Sequence, residues 1–236
     1  MAVALAGQLR EGTKKSHTMA ENTGFVTCFL KGVVEKTSYR KLISDLYFVY
    51  QAMEEEIQRL VNENHPIVKH LDFKELFRQK TLESDLFYYY GENWINQIQI
   101  SDSAQNYVQR IRSVAKESPE LLVGHHYTRY IGDLSGGQIL KKIAKKALNL
   151  EGDNGLCFYE FQMIKDEKEF KKLYSDTLNN LPIDQIAADN IVEEANKAFN
   201  YNMEMFKELE GNLIKVLGKI VFNFLTKRVR KGSTEN

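Results

Sequence analysis

The run Leu121–Leu148, LLVGHHYTRYIGDLSGGQILKKIAKKAL, decides how the rest of the chain is read. At helical period Val123, Tyr127, Tyr130, Ile131 and Leu134 form one apolar stripe. Ile139, Leu140, Ile143 and Ala147 form a second on nearly the opposite face, and Gly132, Gly136 and Gly137 sit where the stripes meet. Each interior glycine costs about 1 kcal/mol against alanine, so the three forfeit roughly 3 kcal/mol of helix propensity. Glycine statistics alone favour a helix end at DLSGG. No proline or polar cluster follows, however, and Gln138–Leu148 resumes a helical pattern at once. The alternative is a kinked helix whose backbone is bared at Gly132 and Gly136, so that a broad, flat ligand can lie against it. Arg129 and Asp133, one turn apart, then flank the notch with a charged pair.

Working outward, the other periodic segments are also long, and only three prolines occur in 236 residues. The chain reads as all-α and single-domain, a helical bundle over 1–225 with a polar, disordered tail over 226–236. The first helix is expected over Val3–Ala20 and the second from Phe25 to a stop at Gly32. A long helix over Ser38–Asn62 carries the core stripe Leu42, Leu46, Tyr50 and Met53, followed by Glu54, Glu55 and Glu56 as a partly solvated turn. Helices are further expected over Glu75–Tyr90, Ser103–Lys116 and Lys165–Leu178. The last begins near Pro182 or Asp184 and carries Phe199, Asn202, Met203 and Phe206.

Composition removes several function classes. Lys plus Arg and Asp plus Glu stand equal at 32 each, which gives no bulk attraction for nucleic acid. Cys28 and Cys157 form no CxxC, so neither a disulfide framework nor a zinc site is indicated, and a reducing compartment fits. The N-terminus lacks the apolar core of a signal peptide, and Leu213–Leu225 is too short and too interrupted by Lys215 and Lys219 to span a bilayer. No histidine follows a glutamate by three residues, as di-iron carboxylate bundles require. There is no GxSxG, phosphate-binding loop or GxGxxG.

What remains is the notched helix and His17, with Glu21 one turn beyond it. A lone histidine near an apolar face is more often packed core than ligand. The carboxylate favours the ligand reading, since a metal-bound imidazole needs an acceptor for its second nitrogen. A heme between His17 and the glycines satisfies both features. His125 and His126, beside the aromatic stripe, are read as packing or solvent contacts.

The segments KKSHTMAEN, LYFVYQAMEEEI and PELLVGHHYTRYIGDLSGGQILKKIAKKAL resemble, in this order, the heme oxygenase family, and the resemblance extends from about Leu5 to Leu225. It implies heme b held between a proximal and a kinked distal helix as both cofactor and substrate, cleaved with O2 and a reductant to biliverdin, expected as the IXα isomer, carbon monoxide and ferrous iron. His17 matches the proximal iron ligand and Glu21 its carboxylate partner. Gly132 and Gly136 match the distal glycines, with Gly137 beside them. Asp133 matches the aspartate that orders distal water and helps deliver protons, and Tyr50, Arg129 and Asn202 match its hydrogen-bonding network. Phe199 resembles a pocket-wall aromatic. Propionate partners by resemblance are Arg10, Tyr127 and Lys171, whereas Ser175 departs from the arginine usual there.

Relatives without a membrane anchor imply ferredoxin as electron donor and a cytoplasmic location, or the plastid stroma in a eukaryotic alga. Lys14, Lys15, Lys141, Lys142, Lys145 and Lys146 offer a docking patch for an acidic partner, with a solvated lysine face as the equal alternative. Two rival functions stay open: a heme carrier without turnover, and a different enzyme on the same helical fold.

Overall fold

The computed structural model describes the backbone of residues 3–231 and the side chains of residues 3–210. Ten helices follow one another in this stretch, with no strand among the described residues. They are α1 (Leu5–Gly12), α2 (Lys14–Glu21), α3 (Gly24–Leu30), α4 (Lys36–Asn62), α5 (Gln79–Tyr90), α6 (Asp102–Glu117), α7 (Leu122–His126), α8 (Gly132–Ala147), α9 (Glu167–Asn179) and α10 (Gln185–Lys231). Side chains fix several starts. Glu35 accepts from the amides of Thr37 and Ser38 at 2.8 and 2.7 Å, Ser101 from Ala104, Asp166 from Glu169 and Asp184 from Ala187. Gly32 and Gly91 end α3 and α5 with φ of +77° and +81°, a backbone conformation that side chains disfavour.

The core is built around α4, which packs against α5 and α6, while α10 packs against α7, α6 and α1. The expected stripe Leu42, Leu46, Tyr50 and Met53 is buried, and so are Tyr39, Ile43, Val49, Ile57 and Leu60 on flanking faces. Each such side chain contributes about 1.5–3 kcal/mol by leaving water. Glu54 is buried as well, so the expected solvated turn begins only at Glu55. It accepts from the backbone N–H of Arg78 and of Gln79, which moves the start of α5 from the expected Glu75 to Gln79.

The expected first helix breaks in two at Thr13, whose hydroxyl donates to the Leu9 carbonyl at 2.7 Å. At the other end α10 continues through 226–231, where a disordered tail was expected. That stretch is rich in lysine and arginine, both good helix formers. Residues 232–236, and the side chains of the run 213–225, lie outside the described residues. No helix searched among the described residues is long and apolar enough to cross a membrane.

Gly124 marks the closest approach of α7 to α10. A Cβ there would stand 2.8 Å from both the Ala195 nitrogen and the Ile191 oxygen, which are backbone atoms unable to yield. Gly124→Ala is therefore expected to destabilise by about 1–3 kcal/mol, or roughly 2–4 °C in Tm per kcal/mol. Gly7→Ala, with nothing within 4 Å of the added carbon, should be neutral or stabilising in the same thermal melt. Equal melting points for the two variants would remove the argument.

Candidate active site

The segment from Pro119 to Ala147 does not break at DLSGG. A 3₁₀ turn (Pro119–Leu121), α7, one π-helical turn (Tyr127–Ile131) and α8 run on without interruption. The irregularity thus precedes the glycines. A π turn closes hydrogen bonds one residue wider than an α turn, and such turns often mark functional sites. It rephases the two apolar stripes. Downstream the buried positions are Leu134, Gly137 and Ala144, while Ile139, expected on a bulky face, is 63% exposed.

A cleft of about 610 Å³ opens between α1 and α2 on one wall and the π turn and α8 on the other. His17 and Glu21 line the first wall, Ile131, Gly132, Ser135 and Gly136 the second, with Phe199 of α10 at the back. A Cβ added at Gly132 or Gly136 would meet no heavy atom within 4 Å, so the backbone faces open space in the cleft. Gly137 does not. It is buried, a Cβ added there would stand 3.5 Å from the Tyr159 ring, and it brings α8 against the loop after it.

His17 Nδ1 lies 3.7 Å from a Glu21 carboxylate oxygen, an orientation that leaves Nε2 for another partner. Its ring meets Phe199 edge-on at 5.9 Å between centroids. The pair is more than half exposed, which a packed core histidine would not be. A donor nitrogen on one wall, bared backbone on the other and a slot between them fit a flat macrocycle carrying iron.

Behind Gly132 lies a buried polar cluster. The Arg129 guanidinium donates to Asn202 Oδ1 at 2.7 Å, to the Tyr50 hydroxyl at 3.2 Å and to Asp133 at 3.3 Å. Tyr50 in turn donates to Asp133. Burial pushes the Asp133 carboxyl above the usual carboxylate range, against the pull of Arg129 and Tyr50. The sequence thus placed four residues, Tyr50, Arg129, Asp133 and Asn202, that three separate helical segments bring together.

The rim differs from expectation. Arg10 and Tyr127 line the cleft, joined by Lys14, while Lys171 and Ser175 do not. Lys171 pairs with Glu167 one turn back on α9. Ser135 and Thr128 also line the cleft and were not singled out. The spacing Ile131 to Ser135, in step with Gly132 and Gly136, is the signal that points to Ser135.

Two further buried groups support the distal wall. Tyr130 donates to Glu54 at 3.2 Å and packs on Tyr50 with centroids 5.3 Å apart. Burial raises the Glu54 carboxyl to about 7, outweighing the amide bonds from Arg78 and Gln79. Because its folded pKa lies above the unfolded value, Glu54 stabilises fully below about pH 4.5 and loses that stabilisation as pH rises to about 7. The difference amounts to about 3 kcal/mol. Buried His126, lowered to about 3 by burial, acts oppositely and costs stability as pH falls below the ordinary histidine value of 6.5. The stability difference between wild type and Glu54→Gln isolates the Glu54 contribution. It should change by about 3 kcal/mol between pH 4.5 and 7.5 in chemical denaturation, and a flat difference would refute the assignment.

His125 and His126 are both fully buried, so their expected alternative of solvent contact does not hold. His126 Nδ1 lies 2.8 Å from the Tyr174 hydroxyl and ties α7 to α9.

Comparison with known proteins agrees with this geometry. The family model described as heme oxygenase matches residues 3–208. Heme oxygenase 1 of Synechocystis sp. is 63% identical over 100% of this chain and 97% of its own length. Heme oxygenase of Porphyra purpurea is 51% identical over 96% of this chain and 95% of its own. The crystal structure of the Synechocystis heme oxygenase-1 in complex with heme superposes with a TM-score of 0.89 at 62% identity, covering 94% of this chain and 100% of that one. Its helices, its cleft and these matches over nearly the whole length together make this chain a member of the heme oxygenase family.

Proposed function

We propose that the protein cleaves heme to biliverdin IXα, carbon monoxide and ferrous iron, using O2 and electrons from a ferredoxin. The observation that carries this is the cleft with His17 on one wall and the bared Gly132–Gly136 backbone, backed by Asp133, on the other. Heme, when bound, supplies the redox iron and is itself the molecule consumed. Relatives from cyanobacteria and red algae support a role in bilin synthesis, and the cytoplasm or plastid stroma as the place of action.

Each residue has a task that its position supports. His17 offers Nε2 to the iron while Glu21 faces Nδ1, which fixes ring orientation and raises ligand basicity. Gly132 and Gly136 admit the macrocycle edge and leave space beside it. Asp133, held by Tyr50 and Arg129, lines a separate cavity of about 90 Å³ rather than the cleft itself, and from there it can take a proton from ordered water and return it. Phe199 closes the back of the slot. Arg10, Lys14 and Tyr127 stand at the rim, where anionic propionates need donors.

Lys171, paired with Glu167, and Ser175 leave that rim one strong donor short. Ser175→Arg should tighten heme binding roughly tenfold, equivalent to about 1.4 kcal/mol, by adding a bidentate partner. A heme titration followed by absorption checks this, and an unchanged Kd would mean that a lysine of α9 already serves.

Lys14, Lys15, Lys142 and Lys146 are exposed and suit an acidic electron donor. Lys141 and Lys145 are instead engaged by Glu160 and Asp153. The test is an absorption time course: hemin is added to the purified protein, then ferredoxin with its reductase in air, at rising salt. Decay of the Soret band into a bilin band, slowed steeply by salt, is expected, with the isomer identified by chromatography. A stable Soret band would refute turnover, and salt-independent turnover would refute the docking face.

A further inference from the structure

Three hydroxyl side chains stand at and after the break between α1 and α2. Thr13 donates to the Leu9 carbonyl at 2.7 Å and Thr18 to the Lys14 carbonyl at 3.1 Å, each one turn back along its own stretch of chain. Ser16, the neighbour of His17, does otherwise. Its hydroxyl reaches across to α10 and donates to Asn196 Oδ1 at 2.5 Å. Asn196 Nδ2 donates in turn to the Gly12 carbonyl at 3.1 Å and to the Val192 carbonyl at 2.9 Å, so both of its amide protons are used. The Val192 bond holds the side chain against its own helix, while the other two grip the end of α1 and the first turn of α2.

α2 needs such a grip. α1 buries Leu5 and Leu9 completely, and its Ala6 amide donates to Asn179 Oδ1 at 2.9 Å. No residue of α2 is buried. A helix of eight residues is marginal in water, and burial of an apolar face is what ordinarily holds one in place. Gly12 lets the chain lie close to α10, since a Cβ there would collide with Val192 Cγ1, on a β-branched side chain with little rotamer freedom. Val192, Asn196 and Phe199 follow at i, i+4 and i+7 on one face of α10. In that order they meet Gly12, Ser16 and His17.

We propose that Asn196 is a positioning residue that latches α2 to α10, and so sets the place of His17 over the cleft before heme enters. The inference rests on the reading of His17 as the iron ligand. Neither Asn196 nor Ser16 lines the cleft. A ligand helix already seated loses little freedom when the macrocycle binds, whereas an unlatched one must be ordered at that moment and gives up affinity.

The first test is hydrogen–deuterium exchange on the apoprotein, which needs no heme. In Asn196→Ala the amides of His17 to Glu21 should exchange about tenfold faster than in wild type, with those of α4 and α6 unchanged. Ser16→Ala should act in the same direction, add nothing to Asn196→Ala in the double variant, and be rescued by Ser16→Thr, which keeps the hydroxyl. Asn179→Ala is the control for a purely structural loss: it frees the start of α1 and should leave α2 at wild-type rates. Should Asn196→Ala fail to fold, the Ser16 variants decide. Wild-type exchange in α2, or an equal rise in every helix, would overturn the latch.

The second readout is resonance Raman scattering of the ferrous heme complex. The iron–histidine stretching band should shift or broaden in Asn196→Ala and Ser16→Ala but not in Asn179→Ala, and heme should dissociate about tenfold faster from the first two. Faster exchange with an unchanged band and dissociation rate would reduce Asn196 to a structural contact and overturn the proposal. A wild type without an iron–histidine band would refute the reading of His17 alone, since exchange in the apoprotein decides the latch independently.

Discussion

Asp133→Ala is expected to lower biliverdin formation roughly 10²–10⁴-fold, the range lost when a positioned proton-transfer group is removed. Heme binding should survive, because His17 and the rim donors stand on other elements. The variant leaves the Arg129 guanidinium, only 9% exposed, without its carboxylate, so a stability cost of a few kcal/mol is also expected. Asp133→Asn separates the two effects. It keeps shape and one acceptor for Tyr50 but cannot take up a proton, so activity should fall with a smaller loss of Tm. The informative assay is a single turnover in which bilin yield is compared with heme loss and with peroxidase-like oxidation of an added phenol. Unchanged bilin yield would remove Asp133 from the reaction.

His17→Ala should cost at least about 100-fold in turnover, since losing only an outer partner of a metal ligand already costs 10–100-fold. The side chain is 56% exposed, with one edge-on contact to Phe199, so the fold should lose no more than about 0.5 kcal/mol. That asymmetry makes the test clean. Added imidazole has room in the cleft and should restore a histidine-type heme spectrum in the variant. Glu21→Ala should cost less than His17→Ala, because its oxygen stands 3.7 Å away in solvent rather than in a buried bond. A variant at position 17 with full turnover would send the ligand search to other residues of the cleft.

The helical class and the core of α4 were legible because their apolar residues recur at helical period over many turns. The Arg129–Asp133 pair was legible from its spacing of one helical turn, whereas Tyr50 and Asn202 joined it only through resemblance, since their distance along the chain carries no local signal. The break at Thr13 was hidden because a hydroxyl bonding to its own helix leaves the apolar pattern intact. Glu54 was hidden by its neighbours: in a run of three glutamates nothing marks the one that turns inward to cap another helix. The rim was misplaced at Lys171 for a related reason, since the sequence does not say which carboxylate a lysine prefers.

The π turn at Tyr127–Ile131 makes length a part of the active site. In an α-helix each residue advances the side-chain direction by about 100°, so adding or deleting one residue upstream turns everything beyond it by that angle. The wide turn absorbs one residue without ending the helix, and the angular position of Gly132 and Gly136 over the cleft depends on it. A single-residue deletion between Pro119 and Ile131 would keep a continuous helix yet present a different face to the cleft, closing with side chains the slot the glycines keep open. Insertions and deletions here are thus constrained as tightly as the catalytic chemistry, although the segment is ordinary in composition.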